Sequence, residues 1–273
     1  MKYISQKDIV IPQRKADSHK GDNGKVLVIG GSADYGGAVA LAGLAALRSG
    51  ADWVTVAAPE KVGWVINTLS PDLVVKKCKG GDFCASRAAD LLKFEKDFDA
   101  VLIGNGIGMH AQTFVKKYVK ETKKPIVIDA DGIKSVRLQD CRNAILTPHH
   151  KEFEILLKNS DLHTNNFRKY LKNNIILLKG PIDEIITSRK SYYNKTGNAG
   201  MTKAGTGDVL AGLCVGFLGQ GLSLEQSAIN AAYFNGLAGD ILLKKKKGFT
   251  YLASDLVTEI SNWRKWKLSA KAV

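Results

Sequence analysis

The chain is poor in cysteine, in acidic residues and in long apolar runs, and each scarcity removes a class of protein. Four cysteines among 273 residues (Cys78, Cys84, Cys141 and Cys214) form no CxxC pair. They encode neither a zinc spacing nor a disulfide framework, so a reducing, cytoplasmic setting is expected. No HxH or HExxH arrangement occurs, which argues against a catalytic zinc site. No apolar stretch reaches membrane-spanning length. The opening Met1-Lys2-Tyr3-Ile4-Ser5-Gln6-Lys7 lacks the apolar core of a signal peptide, and no membrane partner is expected. Low-complexity tracts, internal repeats and Pro/Gly/Ser-rich linkers are also missing, so residues 1–273 read as one domain.

Acidic residues number 26 against 40 Lys and Arg, a formal net charge of +14. An excess of this size attracts polyanions, and a nucleic-acid binder is one reading to weigh. The lysines are spread along the chain, however. The one dense run, Lys244-Lys245-Lys246-Lys247, closes an apolar helix-like stretch, where cations complement the helix dipole. A solvated helix end therefore accounts for it, and no nucleic-acid partner is expected. A basic surface would equally attract a phosphorylated small molecule.

Short β-rich runs alternate with longer helical ones. Lys25–Ile29, Trp53–Ala57, Ala100–Ile103, Ile126–Asp129, Ala144–Leu146 and Ile175–Lys179 read as strands. Gly37–Ser49, Ala85–Phe94, Ala111–Lys120 and Glu152–Lys158 read as helices. This alternation implies right-handed βαβ units and a mostly parallel sheet covered on both faces. Towards the C-terminal third the pattern changes. Glu184–Thr187 and Ser191–Asn194 read as a hairpin giving the sheet an antiparallel edge, followed by helices at Gly207–Leu218, Leu224–Leu243 and Ala253–Lys267.

In open α/β sheets, ligands sit beyond the carboxyl ends of the strands. Five polar or glycine-rich segments follow strands here: Gly30-Gly31-Ser32, Gly104-Asn105-Gly106-Ile107-Gly108, Asp129-Ala130-Asp131-Gly132, Thr147-Pro148-His149-His150 and Lys179-Gly180-Pro181. They are expected to converge on one rim. Taken singly they are weak. Gly31–Gly36 matches GxxxxG, but Gly37-Ala38 follows where a P-loop requires Lys and Ser or Thr. Gly104–Gly108 is GxGxG, not the GxGxxG dinucleotide fingerprint. Lys179 could meet phosphate or be an ordinary strand-end lysine, and His149 could be structural.

The run Asn198-Ala199-Gly200-Met201-Thr202-Lys203-Ala204-Gly205-Thr206-Gly207-Asp208 is more specific. Its glycines permit unusual dihedrals and close approach. The apolar stretch after it reads as a helix, so the loop offers unpaired N–H groups and positive partial charge to an anion. Asp208, at the helix start, is either a cap for the first turn or a base acting on a hydroxyl being phosphorylated.

These segments, in this order, resemble the ADP/ATP-dependent NAD(P)H-hydrate dehydratase family of the ribokinase-like superfamily. The resemblance begins at His19-Lys20-Gly21-Asp22-Asn23-Gly24 and runs through Tyr35–Ala38, Asp129–Gly132, Leu146–His149 and Leu178–Gly180 to Thr196–Met201 and Gly205–Gly212, nearly the whole chain. Gly-Thr-Gly-Asp alone is shared with sugar and vitamin-precursor kinases, which makes such a kinase the alternative. The resemblance implies a three-layer α/β/α ribokinase-like sandwich. It also implies nucleotide-dependent dehydration of (6S)-NADHX or NADPHX back to NADH or NADPH. ADP is the expected donor, ATP the other candidate, with Mg2+ on the phosphates and a homotetrameric assembly. By the same resemblance Asp208 is the base. Ala38, Gly106, His149 and Asp208 contact the hydrated dinucleotide. Lys179, Gly180, Pro181, Ile182, Asp183 and Gly207 contact the adenine nucleotide. Ala204, Gly205, Thr206 and Gly207 form the anion hole. The chain departs from the family's usual pattern at Asn105, where Gly-Pro-Gly is common, at His150-Lys151 and at Pro181–Glu184. The epimerase domain fused to some relatives is not expected within 273 residues.

Overall fold

The computed structural model describes residues 1–262 and 271–272. In chain order the elements are β1 (Lys2–Tyr3), β2 (Val10–Ile11), β3 (Lys25–Ile29), α1 (Gly36–Arg48), β4 (Trp53–Pro59), α2 (Glu60–Leu69), β5 (Val74–Cys78), α3 (Arg87–Phe94), β6 (Ala100–Ile103) and α4 (Gln112–Glu121). There follow β7 (Ile126–Ile128), α5 (Asp131–Ser135), β8 (Ala144–Leu146), α6 (His150–Asn159), α7 (Arg168–Leu171), β9 (Ile175–Leu178), β10 (Asp183–Ile186) and β11 (Ser191–Asn194). The last are α8 (Thr206–Gly219), α9 (Leu224–Lys246), α10 (Ala253–Ile260) and β12 (Lys271–Ala272).

Ten strands form the main sheet, in the order β1-β11-β10-β9-β8-β7-β6-β3-β4-β5. From β9 to β5 every neighbouring pair is parallel; β10 pairs antiparallel with both β9 and β11. The hairpin forms as expected, its turn closed by Thr187 N–H donating to Lys190 O at 2.9 Å. It is not the edge of the sheet, because β1 adds in parallel outside β11. That two-residue strand is too short to carry an alternation signal.

Side chains alternate between the two faces of the sheet, as strand geometry requires. Val26 and Val28 of β3 join a core beneath α1, α8, α9 and α10. Leu27 and Ile29 join the opposite core, with α3, α4 and α6. The tightest helix contact is α1 against α8. A Cβ on Gly212 would lie 2.2 Å from Ala42 O, so glycine at this position is what lets α8 rest on α1.

Strand order reverses between β3 and β6: the chain proceeds from β3 outward to β4 and β5, and from β6 the other way to β9. This switch point opens a crevice at the carboxyl ends of the strands. The loops after β3 and β6 flank it, joined by Gly31 N–H donating to Asn105 O at 2.9 Å.

Several elements carry too weak a pattern to be read from sequence. Helix α2 exposes Trp64, Val65 and Leu69, which blurs its apolar face, and edge strand β5 is half lysine-rich, Val-Val-Lys-Lys-Cys. The helix expected at Ala253–Lys267 is present as α10 to Ile260; residues 263–267 lie outside the described residues. The lysine run is the C-terminal turn of α9, where Lys247 takes the left-handed conformation at φ 52°.

Candidate active site

The rim segments do converge, and Asp129 is their hub. Its carboxylate, at the end of β7, is buried. Oδ1 accepts from Thr147 Oγ1 at 2.7 Å after β8 and from Lys179 Nζ at 3.0 Å after β9. Oδ2 accepts from Asn105 Nδ2 at 2.9 Å after β6. Four successive strand ends are thus tied through one side chain. The other amide proton of Asn105 reaches Asp208 Oδ1, 2.7 Å away at the start of α8. Lys179 also lies 3.8 Å from Glu152 Oε2.

These residues border a cleft of about 730 Å³, within the size range of small-molecule and cofactor sites. Its lining includes Asp129, His149, Lys179, Gly180, Pro181, Asp183 and the whole Ala204–Asp208 segment. Gly205 caps α8 at φ 93°, a left-handed conformation that favours glycine. Helical pairing begins with Val209 N–H donating to Gly205 O at 3.1 Å. Among the described residues, the amides of Gly205, Gly207 and Asp208 have no backbone acceptor, the condition for binding an anion at a helix start. The Thr206 amide differs from expectation: it is engaged, at a long 3.4 Å, with Lys203 O. The Thr206 hydroxyl braces the loop by donating to Met201 O at 2.6 Å. The Asn198 side chain accepts from Gly200 N–H at 3.0 Å and donates to Asp240 at 3.0 Å, fixing the loop's entry.

The site is rich in carboxylates. The Lys179 ammonium lies 3.0 Å from Asp129 and 3.8 Å from Glu152 and also feels the charge of Asp208. Burial pushes the Asp208 carboxyl up to about 7; Asn105 and Lys179 act against this, while Asp129 and Glu152 add to it. Burial works to lower the Lys179 ammonium, but Asp129, Glu152 and Asp208 outweigh it and hold the group above the usual lysine range. Asp183 is raised by burial, against hydrogen bonds from Asn194 and the Gly180 amide. A carboxylate titrating near neutrality beside free amides is suited to take a proton from a hydroxyl at physiological pH.

The expected site residues do not all occupy one place. His149, Lys179, Gly180, Pro181, Asp183, Ala204, Gly205, Thr206, Gly207 and Asp208 share the cleft. Ala38 and Gly106 lie together at the switch point, where a Cβ on Gly106 would stand 3.1 Å from Ala38 Cβ. They are linked to the cleft through the neighbouring Asn105. Ile182 is 45% exposed and outside the cleft lining. His149 also serves the fold as the cap of α6, its Nδ1 accepting from Glu152 N–H at 3.2 Å while Glu152 accepts from His149 N–H at 3.0 Å. Sequence patterns assign no role to Asn105, to Glu152 or to Asn235, which also lines the cleft. Of these only Asn105 carried a signal, as the polar residue between two glycines.

A family model described as NAD(P)H-hydrate dehydratase matches residues 26–262. The chain belongs to the NAD(P)H-hydrate dehydratase family. It is 34% identical over 270 residues to the ADP-dependent (S)-NAD(P)H-hydrate dehydratase of Cenarchaeum symbiosum, covering 93% of this chain and 94% of that protein. It is 42% identical over 268 residues to the bifunctional NAD(P)H-hydrate repair enzyme of Methanothermobacter thermautotrophicus, 92% of this chain and 51% of that protein. The chain spans about half the length of the bifunctional relatives it matches. Among solved structures, a ribokinase-like superfamily protein of Enterococcus faecalis superposes with a TM-score of 0.82 at 27% identity, covering 97% and 95% of the two chains. The Bacillus subtilis ADP/ATP-dependent NAD(P)H-hydrate dehydratase, co-crystallized with ATP and Mg2+, superposes with a TM-score of 0.76 at 29% identity over 94% of each chain. The ribokinase-like architecture expected from the sequence is therefore the family's own.

Proposed function

We propose that the chain dehydrates (6S)-NADHX and NADPHX to NADH and NADPH, with ADP as phosphoryl donor and AMP and phosphate as products. The observation that carries this reading is Asp208, a partly buried carboxylate poised near neutrality, at the start of a helix where, among the described residues, the amides of Gly205, Gly207 and Asp208 have no backbone acceptor.

Hydroxide is a poor leaving group, and phosphorylation of the C6 hydroxyl makes it a good one. Asp208 takes the hydroxyl proton as that oxygen attacks the terminal phosphorus of ADP, and the P–O bond to AMP breaks. The Ala204–Gly207 backbone stabilises charge on the moving phosphoryl group. The C6–O bond then breaks with help from the ring nitrogen, a proton leaves C5, and the dihydronicotinamide is restored. Lys179, Gly180, Pro181, Asp183 and Gly207 hold the nucleotide, with Ile182 at the outer margin. Ala38, Gly106 and His149 hold the hydrated dinucleotide.

Magnesium, when bound, would neutralise the nucleotide phosphates in this reading. Among the described residues no three His, Cys, Asp or Glu side chains converge to hold a metal ion. The reading also carries a homotetramer and a cytoplasmic location. Residues 1–273 act in it as a single catalytic domain. Asp208→Asn tests the assignment: nucleotide affinity should stay within a few-fold of wild type while turnover of S-NADHX collapses. Wild-type turnover in that variant would remove Asp208 from the chemistry.

A further inference from the structure

We infer that Asn105 is a positioning residue for Asp208: its buried side-chain amide bridges Asp208 to Asp129 and fixes the orientation of the Asp208 carboxylate. The Asn105 side chain is fully buried. Its Nδ2 carries two protons and gives one to each carboxylate, at 2.9 Å to Asp129 and 2.7 Å to Asp208. Both are charge-assisted bonds, the stronger kind. Asp129 cannot swing, because Thr147 and Lys179 hold its other oxygen. Asp208 is held differently. Among the described residues, the bond from Asn105 is the one hydrogen bond its side chain receives. Without it, no other hydrogen bond among the described residues fixes the carboxylate's rotation.

A second observation points the same way. The side-chain Oδ1 of Asn105 is buried with no hydrogen-bond partner among the described residues, a costly arrangement in a protein interior. Turning the amide over would set that oxygen against two carboxylates. The orientation is therefore dictated by the two acids, and the orphaned acceptor is the consequence. The backbone of Asn105 is pinned as well, through its carbonyl to Gly31 N–H at 2.9 Å.

The charged groups acting on Asp208 are Asp129, Glu152 and Lys179; His149, Asp183 and Lys203 line the same cleft. Burial raises the Asp208 carboxyl and the Asn105 bond opposes it. Losing that bond should raise the carboxyl further, by about one pH unit for a bond of ordinary charge-assisted strength.

The test uses Asn105→Ala and the near-isosteric Asn105→Leu, neither of which can donate. ADP affinity should remain within about twofold of wild type. Turnover of S-NADHX should fall roughly 100-fold, the scale of a misplaced reacting group. The acidic limb of the kcat/KM profile should move upward. So should the Asp208 carboxyl band in infrared titration, identified by its loss in Asp208→Asn. Variants that bind ADP and keep the wild-type profile and titration would overturn the proposal. A measurement on unmutated Asn105 stands if the variants fold poorly. In 15N-labelled wild-type protein the Asn105 side-chain amide should be protected from exchange and shift with Asp208 titration, a response missing in Asp208→Asn. A freely exchanging amide, or one blind to the titration, would equally overturn it. Only the turnover arm rests on the dehydratase reading. An inert wild type whose Asp208 titration still moves in the variants would fault the function and leave the positioning intact.

Discussion

Asp208 should cost the protein stability, and Asp208→Asn should recover it. Its carboxyl is raised from 3.8 to about 7 in the folded protein, so between those values the folded state holds a proton that the unfolded chain has released. Stability then falls as pH rises through this window and levels off above it. The displacement of about three units corresponds to about 4 kcal/mol at most. Asp208 borders an open cleft, and solvent screening reduces the effect to about 2 kcal/mol. Asparagine keeps a carbonyl oxygen for the Asn105 amide but carries no charge to bury or to repel Asp129 and Glu152. Urea denaturation of wild type and Asp208→Asn across pH supplies the assay. At pH 8 the variant should be more stable by about 2 kcal/mol, a Tm gain of about 5 °C for a chain of this size. Near pH 4 the two should coincide. A gap independent of pH, or a variant less stable at pH 8, would refute the assignment of Asp208 as a partly buried acid held above its ordinary pKa.

Three further outcomes follow from the same geometry. Gly205→Ala forces a side chain onto a residue at φ 93° and into contact with Ala253 Cβ and Leu41 Cδ1 at 2.8 Å; calorimetry should find about 2 kcal/mol of stability lost and ADP binding weakened about tenfold. Lys179→Met leaves Asp129 and Glu152 facing each other without their cation; urea midpoints should show a loss of about 3 kcal/mol at neutral pH, smaller at pH 4 where the carboxyls can protonate. Gly212→Val drives a branched side chain into Ala42 O and Ala45 Cβ; it should lower stability by about 3 kcal/mol and depress activity because α8 carries the Asp208 loop, and a wild-type melting curve would contradict the close packing of α1 on α8.

The parallel core of the fold was legible because its strands bury both faces. Runs such as Lys-Val-Leu-Val-Ile at β3 and Ala-Val-Leu-Ile at β6 are apolar on every inward position, and helices cover them in turn. The peripheral pieces were not legible. Strands β1, β2 and β12 have two residues each, too few for any period, and they exist through pairing partners distant in sequence. The same divide runs through the site. Gly205-Thr206-Gly207-Asp208 announced itself by local chemistry, since glycine and an acid at a helix start have few explanations. The role of Asn105 depends on residues 24 and 103 positions away, and sequence order gives no hint of that meeting. His149 shows the limit from the other side: it was singled out as a ligand contact, and the fold also employs it as a helix cap.

The central claim is that this cleft turns a hydroxyl into a leaving group, and a donor comparison tests it most directly. S-NADHX is incubated with the folded protein, Mg2+ and either ADP or ATP while the absorbance of reduced nicotinamide is followed. NADH should form with ADP, matched mole for mole by AMP and phosphate. No turnover with either nucleotide, or a stable phosphorylated alcohol from a vitamin precursor while S-NADHX stays inert, would contradict the claim.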